Sequence, residues 1–220
     1  MNQESDQKIQ FIFGGTFDPV HLGHLAIIDA IKPLSKTATI RILLCALPAL
    51  KSQPQTSFKS RLTMLQLALK ADHRVIIDTR EKERQEPSYT FDSLISLRKD
   101  FPDSAFILVM GMDSLQDIQQ WYHWQDLATV CHLLVINRPG SDINAAHGLM
   151  QASGFKPVAE FSQLIASSKG NGMVLKMTEK EQSSTAIREA IKRKLALGSL
   201  LTQPVIDYIS NHHLYESENN

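Results

Sequence analysis

Short apolar runs alternate with longer segments of helical period along this chain of 220 residues. Short apolar runs are typical of buried strands, whereas apolar residues that recur every three or four positions indicate helices. Strands that alternate with helices build a parallel sheet with helices packed on it. We therefore expect an α/β fold: a doubly wound, Rossmann-like parallel sheet with helices on both faces. The predicted strands are residues 10–14, 39–47, 74–79, 105–111, 132–138 and 173–177.

The predicted helices lie between these strands and in a tail that follows the last strand. They cover residues 22–34, 57–70, 89–101 and 114–121, and the tail over 183–215 is predicted as two further helices. The helix over 57–70 carries one apolar stripe, made by Phe58, Leu62, Leu65 and Leu69. That stripe should lie on the sheet, with Arg61 on the opposite, polar face.

Composition limits the classes of partner. The chain has 23 basic and 23 acidic residues and a pI near 7.1, so it lacks the bulk positive field that draws proteins onto nucleic acid or anionic lipid. We expect no nucleic-acid partner and no membrane partner, and the sequence leaves the oligomeric state open. The N-terminus is polar and acidic, and no apolar stretch approaches the roughly 18 residues of a membrane span.

The chain is predicted to fold as one domain over residues 1–220, because its length suits a single buried core. Residues 141–172 mix Gly and Ser with weak periodicity and show no clear strand, so we interpret them as an insertion or flexible connection. Both cysteines, Cys45 and Cys131, lie in apolar runs and are expected to be small buried hydrophobes. So few cysteines favour a cytoplasmic protein.

Gly14, Gly15 and Thr16 lie at the carboxyl end of the first predicted strand, where open α/β sheets bind ligands. Glycines there allow a phosphate to approach main-chain N–H groups. Asp18-Pro19 is expected to cap the next helix. His21 and His24 would then lie on one face near its first turn.

Three interpretations of the His21 and His24 pair compete. Zinc would need further ligands that the sequence does not offer. The histidines could also be ordinary surface or core groups. The coincidence of Gly-Gly, strand end and helix start favours phosphate binding, in which imidazoles donate to phosphate oxygens and stabilise charge in a transferring phosphoryl group.

Residues 14–24, GGTFDPVHLGH, resemble the signature motif of the adenylyl/cytidylyltransferase superfamily. The run Ser183-Ser184-Thr185-Ala186-Ile187-Arg188 resembles the second signature of that superfamily, with Gln182 where isoleucine is usual. Five further stretches are similar to the bacterial nicotinate mononucleotide adenylyltransferase family: PSYT (87–90), GMDS (111–114), WY (121–122), RPG (138–140) and PVIDYISNHHLY (204–215).

That resemblance implies transfer of AMP from ATP to nicotinate mononucleotide, which yields deamido-NAD and pyrophosphate. Mg²⁺ would arrive with ATP, since the sequence shows no carboxylate cluster able to hold it alone. Two alternatives stay open: adenylyl or cytidylyl transfer to another phosphorylated acceptor such as phosphopantetheine, and a nucleotide-binding module without transfer chemistry.

The resemblance also implies roles for individual residues. The catalytic groups would be His21, His24, Lys51 and Arg188. ATP would further contact Gly14, Gly15, Thr16, Phe17, Asp113, Ser183, Ser184 and Thr185. Nicotinate mononucleotide would contact Tyr89, Thr90, Trp121 and Arg138, with its ring stacked on the tryptophan and its carboxylate on N–H groups of the Tyr89-Thr90 turn.

Three positions depart from the pattern of that family. Leu50 stands where histidine is usual in a basic loop, Glu86 stands where a small residue is usual, and Asn137 stands where arginine is usual. Each change removes positive charge or adds negative charge near an anionic substrate. The expected consequence is weaker binding or a shifted substrate preference.

Overall fold

One parallel sheet organises the computed structural model of the chain, which describes residues 8–50, 52–69, 72–84, 86–137, 142–177 and 182–216. Within these residues the strands are β1 (Ile9–Gly15), β2 (Thr39–Leu44), β3 (Val75–Asp78), β4 (Ala105–Gly111), β5 (His132–Asn137), β6 (Lys156–Val158) and β7 (Asn171–Lys176). Their order in the sheet is β3-β2-β1-β4-β5-β7-β6, and every pairing is parallel. The predicted parallel sheet is confirmed.

The helices are α1 (Leu22–Ile31), α2 (Phe58–Leu69), α3 (Thr90–Asp100), α4 (Met112–Gln116), α5 (Ile143–Ala152), α6 (Phe161–Leu164), α7 (Ser184–Lys192) and α8 (Gln203–Asn211). Short 3-10 turns follow α1, β3 and α4. The predicted helical tail is confirmed as α7 and α8. No helix among the described residues is both long enough and apolar enough to cross a membrane.

The inner strands β1, β4 and β5 are buried on both sides, and successive residues point into two separate cores. Phe11 and Phe13 of β1 pack with the face that carries α1, α2, α7 and α8. Ile12, between them, packs with the face that carries α3, α4 and α5. This period of two is the pleat of a strand buried on both faces, and it confirms helices on both sides of the sheet.

β1 is an inner strand of the sheet, between β2 and β4. Gly15 is paired with Leu44 of β2, and Phe13 with Val109 of β4, so the three strands end at one edge. The strand order reverses between β1 and β4, and ligands of open α/β sheets bind in the crevice at such a point. The carboxyl end of β1 is therefore the place to look for a site.

The segment in which the sequence shows no clear strand contains one. Residues 156–158 form β6, which pairs with β7 at the edge of the sheet and lies between α5 and α6. The expectation of no strand here is wrong because β6 has only three residues and includes Lys156 and Pro157, which are tolerated on an edge strand but spoil the apolar pattern. Whether residues 141–172 are an insertion stays a prediction.

Candidate active site

The β1–α1 turn, residues 16–20, leaves the sheet at Gly15 and carries the first signature. Phe17 has a φ of 51°, in the left-handed region, and its ring folds back over Gly15. A Cβ on Gly15 would lie 2.9 Å from Cζ of Phe17, closer than side chains tolerate. Glycine is needed at this position because it leaves room for the Phe17 ring.

Arg61 of α2 holds the β1–α1 turn from below. Its side chain is only 1% exposed, and Nη1 donates to the carbonyl oxygens of Thr16 and Cys45, both at 2.7 Å. Burial lowers the pKa of Arg61 below its ordinary value. The prediction of Arg61 on a solvated face is wrong, because helical period does not reveal that two carbonyl groups at strand ends need a donor at this position.

Asp18 does not cap α1 as the sequence predicts, since the N-cap is His21. Its carboxylate is 4% exposed and accepts three hydrogen bonds from distant parts of the chain. Oδ2 accepts from the Gln55 N–H at 2.7 Å, and Oδ1 accepts from the hydroxyls of Thr56 at 2.6 Å and Tyr215 at 2.7 Å. The carboxylate therefore fixes the β1–α1 turn through tertiary contacts, which a local motif cannot reveal.

His21 and His24 lie on one face of the first turn of α1, as predicted. Their rings are stacked with centroids 3.6 Å apart, and His24 also packs edge-on against Phe17 at 4.9 Å. His21 is 6% exposed and His24 is half-buried. The His21 N–H donates to Nδ1 of His24 at 3.2 Å, so a neutral His24 carries its proton on Nε2 and offers a donor there.

The first N–H groups of α1 already have partners within the protein. Leu22 donates to the carbonyl of Leu200 at 2.9 Å, and Gly23 donates to Oε1 of Gln182 at 3.1 Å. By contrast, the N–H groups of Thr16 and Phe17 donate to no group in the described part of the chain. An anion at this edge would therefore meet the β1–α1 turn and the imidazoles rather than the helix end.

The second signature packs directly onto the first. Ser183 caps α7 by accepting from the Ala186 N–H at 3.1 Å, and the Ser184 hydroxyl donates to the carbonyl of Pro19 at 3.1 Å. Arg188 donates from Nη1 to the carbonyl of Asp18 at 2.8 Å and from Nη2 to Oγ1 of Thr185 at 3.1 Å. Two motifs far apart in sequence thus form one surface.

Gln182, which the sequence marks only as a departure, joins these two motifs. Its Oε1 accepts from Gly23, and its Nε2 donates to the carbonyl of Ser199 at 3.1 Å. A Cβ on Gly23 would lie 3.1 Å from Nδ1 of His21, which is tighter than most side-chain contacts, and 3.4 Å from Cβ of Gln182, which is an ordinary contact. An isoleucine at position 182 could not make either hydrogen bond.

A cavity of about 220 Å³ opens beside the turn, at the carboxyl ends of β1, β2 and β4. The predicted site residues that line it are Gly14, Gly15, Thr16, Tyr89, Thr90 and Trp121. Those outside its lining are Phe17, His21, His24, Asp113, Ser183, Ser184, Thr185 and Arg188. Asp113 is exposed in the first turn of α4, directly after β4. Lys51 and Arg138 lie outside the described residues.

The aromatic side of the cavity is built around the start of α3. Tyr89 is the N-cap of α3, and no side chain caps that helix end. The rings of Tyr89 and Tyr122 pack at 4.5 Å, and Trp121 is partly buried beside them. The cavity therefore combines a flat aromatic wall with an uncapped helix N-terminus, which attracts negative charge.

The lining residues that were not predicted as site residues include Glu81 and Cys45. Glu81 is buried, and its carboxylate accepts from the Ser93 hydroxyl at 2.8 Å. Cys45 is half-buried on the cavity wall, so the prediction of a buried cysteine is confirmed for Cys131 alone. Burial raises the pKa of the Cys131 thiol to about 12. The two cysteines do not form a disulfide with each other.

The loop after β2 roofs the cavity and is tied to the segment before α3. The Ser88 hydroxyl accepts from the N–H groups of Ala46 at 3.2 Å and Leu47 at 3.1 Å, and the Ser88 N–H donates to the carbonyl of Leu47 at 2.8 Å. Leu50, 57% exposed, lines the rim.

No group of three or more His, Cys, Asp or Glu side chains in the described ranges could hold a metal ion.

Comparison with known proteins identifies the family. The family model for cytidylyltransferase-like proteins matches residues 12–190. The chain belongs to the cytidylyltransferase-like family. Within it, "Probable nicotinate-nucleotide adenylyltransferase" of Marinomonas sp. (strain MWYL1) is 36% identical over 93% of each chain. The protein of the same name from Methylococcus capsulatus is 34% identical over 93% of this chain and 98% of its own.

Solved structures share the fold of this cytidylyltransferase-like chain. Plasmodium falciparum nicotinic acid mononucleotide adenylyltransferase, complexed with NaAD, superposes with a TM-score of 0.74. The match covers 95% of this chain and 98% of the other at 21% identity. A likeness at this identity shows the doubly wound sheet, and the sequence relatives place the chain in the nicotinate-nucleotide adenylyltransferase group.

Proposed function

We propose that this protein transfers AMP from ATP to nicotinate mononucleotide, which yields deamido-NAD and pyrophosphate. The observation that carries the proposal is the meeting of the two signatures, with Arg188 bound to the Asp18 carbonyl beside the stacked histidines. The names of the sequence relatives support the same reaction. The adjoining cavity, with its aromatic wall, is suited to a second substrate that carries a flat ring.

The reaction requires little from the protein beyond positioning and charge stabilisation. A phosphate oxygen of the mononucleotide attacks the α-phosphorus of ATP, the bond from that phosphorus to the bridging oxygen breaks, and pyrophosphate leaves. A phosphate monoester is already a nucleophile at neutral pH, so no general base is required. His21, His24 and the N–H groups of Gly15 to Phe17 would donate to the ATP phosphates, while Lys51 and Arg188 would meet the β- and γ-phosphates.

Further contacts with ATP would come from the two signatures and from α4. Gly14 and Thr16 would border the phosphates, and Asp113 would accept from a ribose hydroxyl at the carboxyl edge of β4. Of the second signature, Thr185 is the hydroxyl we expect to face ATP. Ser183 and Ser184 would act mainly through the backbone they hold, because one caps α7 and the other binds the Pro19 carbonyl.

Nicotinate mononucleotide would occupy the cavity. Its electron-poor ring would stack on Trp121, and its carboxylate would accept from N–H groups where Tyr89 and Thr90 begin α3. The uncapped start of α3 supports this orientation, because those first N–H groups have no side-chain cap. Arg138 would add a positive charge at the end of β5.

We also propose that Mg²⁺ enters bound to the triphosphate. When bound, it would neutralise negative charge that builds up on the departing pyrophosphate. The Gly15–Phe17 turn and the histidine pair offer donors to phosphate oxygens, whereas the described residues offer no ligand cluster for the ion itself. We place the reaction in the cytoplasm, in keeping with two cysteines that are not joined in a disulfide.

Pyrophosphate release tests the proposal. The protein is mixed with ATP, Mg²⁺ and one acceptor at a time: nicotinate mononucleotide, nicotinamide mononucleotide or phosphopantetheine. We expect the highest kcat/KM with nicotinate mononucleotide. Preference for phosphopantetheine would support the alternative acceptor. If the protein binds ATP tightly but releases no pyrophosphate from it with any of the three acceptors, the result would support a binding module without transfer chemistry.

A further inference from the structure

We propose that Tyr215, which follows α8, is a positioning residue of the ATP site. Its hydroxyl holds the Asp18 carboxylate at 2.7 Å, and Asp18 in turn shapes the β1–α1 turn that carries the phosphate-binding N–H groups. This inference rests on the proposed function and adds to it a residue that no phosphate-binding motif includes. It assigns the segment after α8 a part in turnover.

Each of the two hydroxyl donors around Asp18 makes its hydrogen bond to the same carboxylate oxygen. Thr56 and Tyr215 each have one hydroxyl proton, and both protons go to Oδ1 of Asp18. Their two oxygens lie 3.3 Å apart, so they contact each other around the carboxylate oxygen that they share. Oδ2 accepts the Gln55 N–H. Removing the Tyr215 hydroxyl would therefore leave Oδ1 with Thr56 as its remaining donor among the described residues.

The Tyr215 hydroxyl is suited to act as the hydrogen-bond donor to the Asp18 carboxylate. It is 7% exposed, and burial together with the neighbouring Asp18 raises the pKa of its hydroxyl well above the ordinary value. The hydroxyl therefore stays protonated throughout the range in which enzymes work. A protonated donor on a buried carboxylate makes a strong, charge-assisted hydrogen bond.

Asp18 links the Tyr215 hydroxyl to the ATP site because its side chain and its main chain bind different partners. The side chain binds Tyr215, Thr56 and Gln55, whereas the carbonyl accepts from Nη1 of Arg188 at 2.8 Å. A shift of Asp18 would move the anchor of Arg188 and, one residue earlier, the strained Phe17 with its N–H. Small displacements of such groups are expected to cost turnover more than binding.

The decisive variant is Tyr215→Phe, with Tyr208→Phe as its matched control. Tyr208 lies on α8, where its ring stacks on His212 at 4.1 Å, and it takes no part in the Asp18 cluster. We expect Tyr215→Phe to lower kcat on the order of 10- to 100-fold while KM for ATP changes less than about threefold. Tyr208→Phe should keep the wild-type values. Equal kcat in the two variants, both folded by circular dichroism, would overturn the proposal.

A double-variant cycle tests whether the Tyr215 and Thr56 hydroxyls act through the same oxygen of Asp18. Thr56→Val removes the other hydroxyl donor to Oδ1, so the single variants each leave one donor and the double variant leaves none. We expect the double variant to lose more kcat than the product of the two single losses, because the shared oxygen is then buried without a hydroxyl donor. Losses that simply multiply would show that the Tyr215 and Thr56 hydroxyls act independently, which would contradict a shared role at Oδ1 of Asp18.

A third measurement is independent of the reaction. Hydrogen exchange of the Gln55 amide reports the same carboxylate without any substrate, and affinity for a non-hydrolysable ATP analogue reports the site without transfer. If wild-type protein releases no pyrophosphate, the proposed function fails. Faster Gln55 exchange in Tyr215→Phe than in Tyr208→Phe, with affinity for the analogue changed less than about threefold, would still support positioning. Unchanged exchange would refute it.

Discussion

At the scale of single residues, the site depends on close approaches that only particular side chains permit. Gly23 lets the His21 ring lie against α1, and the hydrogen bond from the His21 N–H fixes which nitrogen of a neutral His24 carries the proton. The sequence predicts the pairing of the histidines from their spacing. It does not reveal that Gln182 accepts a hydrogen bond from the Gly23 N–H in the first turn of α1, because the two residues are 159 positions apart.

His24→Ala should lower kcat about 10²- to 10³-fold, since it removes one preorganised donor to a phosphate oxygen. The fold should persist because His24 is only half-buried. His73→Ala, at an exposed position before β3, is the control and should keep wild-type turnover. Steady-state pyrophosphate release measures both variants. Normal turnover in His24→Ala would remove this histidine from the mechanism.

Gly23→Ala should displace the His21 ring and lower kcat on the order of tenfold, because its Cβ would press on Nδ1 at 3.1 Å. Gly148→Ala is the matched control in α5, where a Cβ would meet nothing within 4 Å. That control should raise the free energy of unfolding by about 0.4–1 kcal/mol and leave turnover unchanged. If both alanines leave kcat intact, the fit around His21 is looser than the contacts indicate.

At the scale of elements, α2 acts as a support for the β1–α1 turn as well as a cover for the sheet. Its apolar stripe was predicted, and Leu65 is fully buried as expected. The predicted position of Arg61 is wrong because amphipathic period identifies an apolar face but not the strand-end carbonyl groups that lie beneath it. In the same way, β6 was missed because three edge residues give no pattern to detect.

Arg61→Met should destabilise the protein and also lower turnover. The carbonyl groups of Thr16 and Cys45 would lose the hydrogen bonds from Arg61, at a cost of about 1–3 kcal/mol for each. Lys59→Met, on the exposed side of α2, should change stability by less than about 0.5 kcal/mol. Urea unfolding compares the two variants. Equal midpoints would mean that the Arg61 hydrogen bonds contribute nothing measurable.

At the scale of the whole molecule, a charge cluster around the buried Asp78 joins three segments on the α3 side of the sheet. Asp78 at the end of β3 binds Arg41 of β2 at 3.0 Å and Arg80 at 2.9 Å, and Arg80 reaches Asp100 of α3 at 3.0 Å. Burial alone would favour the neutral acid, but hydrogen bonds and charge from the two arginines outweigh it and lower the pKa of Asp78.

A lowered pKa in the folded state makes stability depend on pH. The unfolded chain takes up the Asp78 proton first, so this contribution is complete above about pH 4 and is lost as the pH falls further. Asp78→Asn should cost about 3–5 kcal/mol at neutral pH and flatten the acid limb of the stability curve. Asp207→Asn, at an exposed position of α8, should keep the wild-type acid limb. Parallel acid limbs in all three proteins would refute the assignment.

The sequence predicts more of the fold than of the site. Alternating apolar runs were enough to predict the parallel sheet and the carboxyl end of β1 as its binding edge. The contacts of Asp18 and Gln182 could not be predicted, because each joins segments more than a hundred positions apart that only the finished fold brings together. That all the described strands join one sheet supports our proposal of a single domain.

The long separation between the partners of the β1–α1 turn has a consequence during synthesis. Asp18, Pro19 and Gly23 leave the ribosome early, but their partners Arg188, Ser184, Gln182 and Tyr215 follow 159 to 197 residues later. A nascent chain can form its first strands before the β1–α1 turn is held in the conformation that binds phosphate. The newly made protein should therefore stay catalytically silent until translation has passed α8.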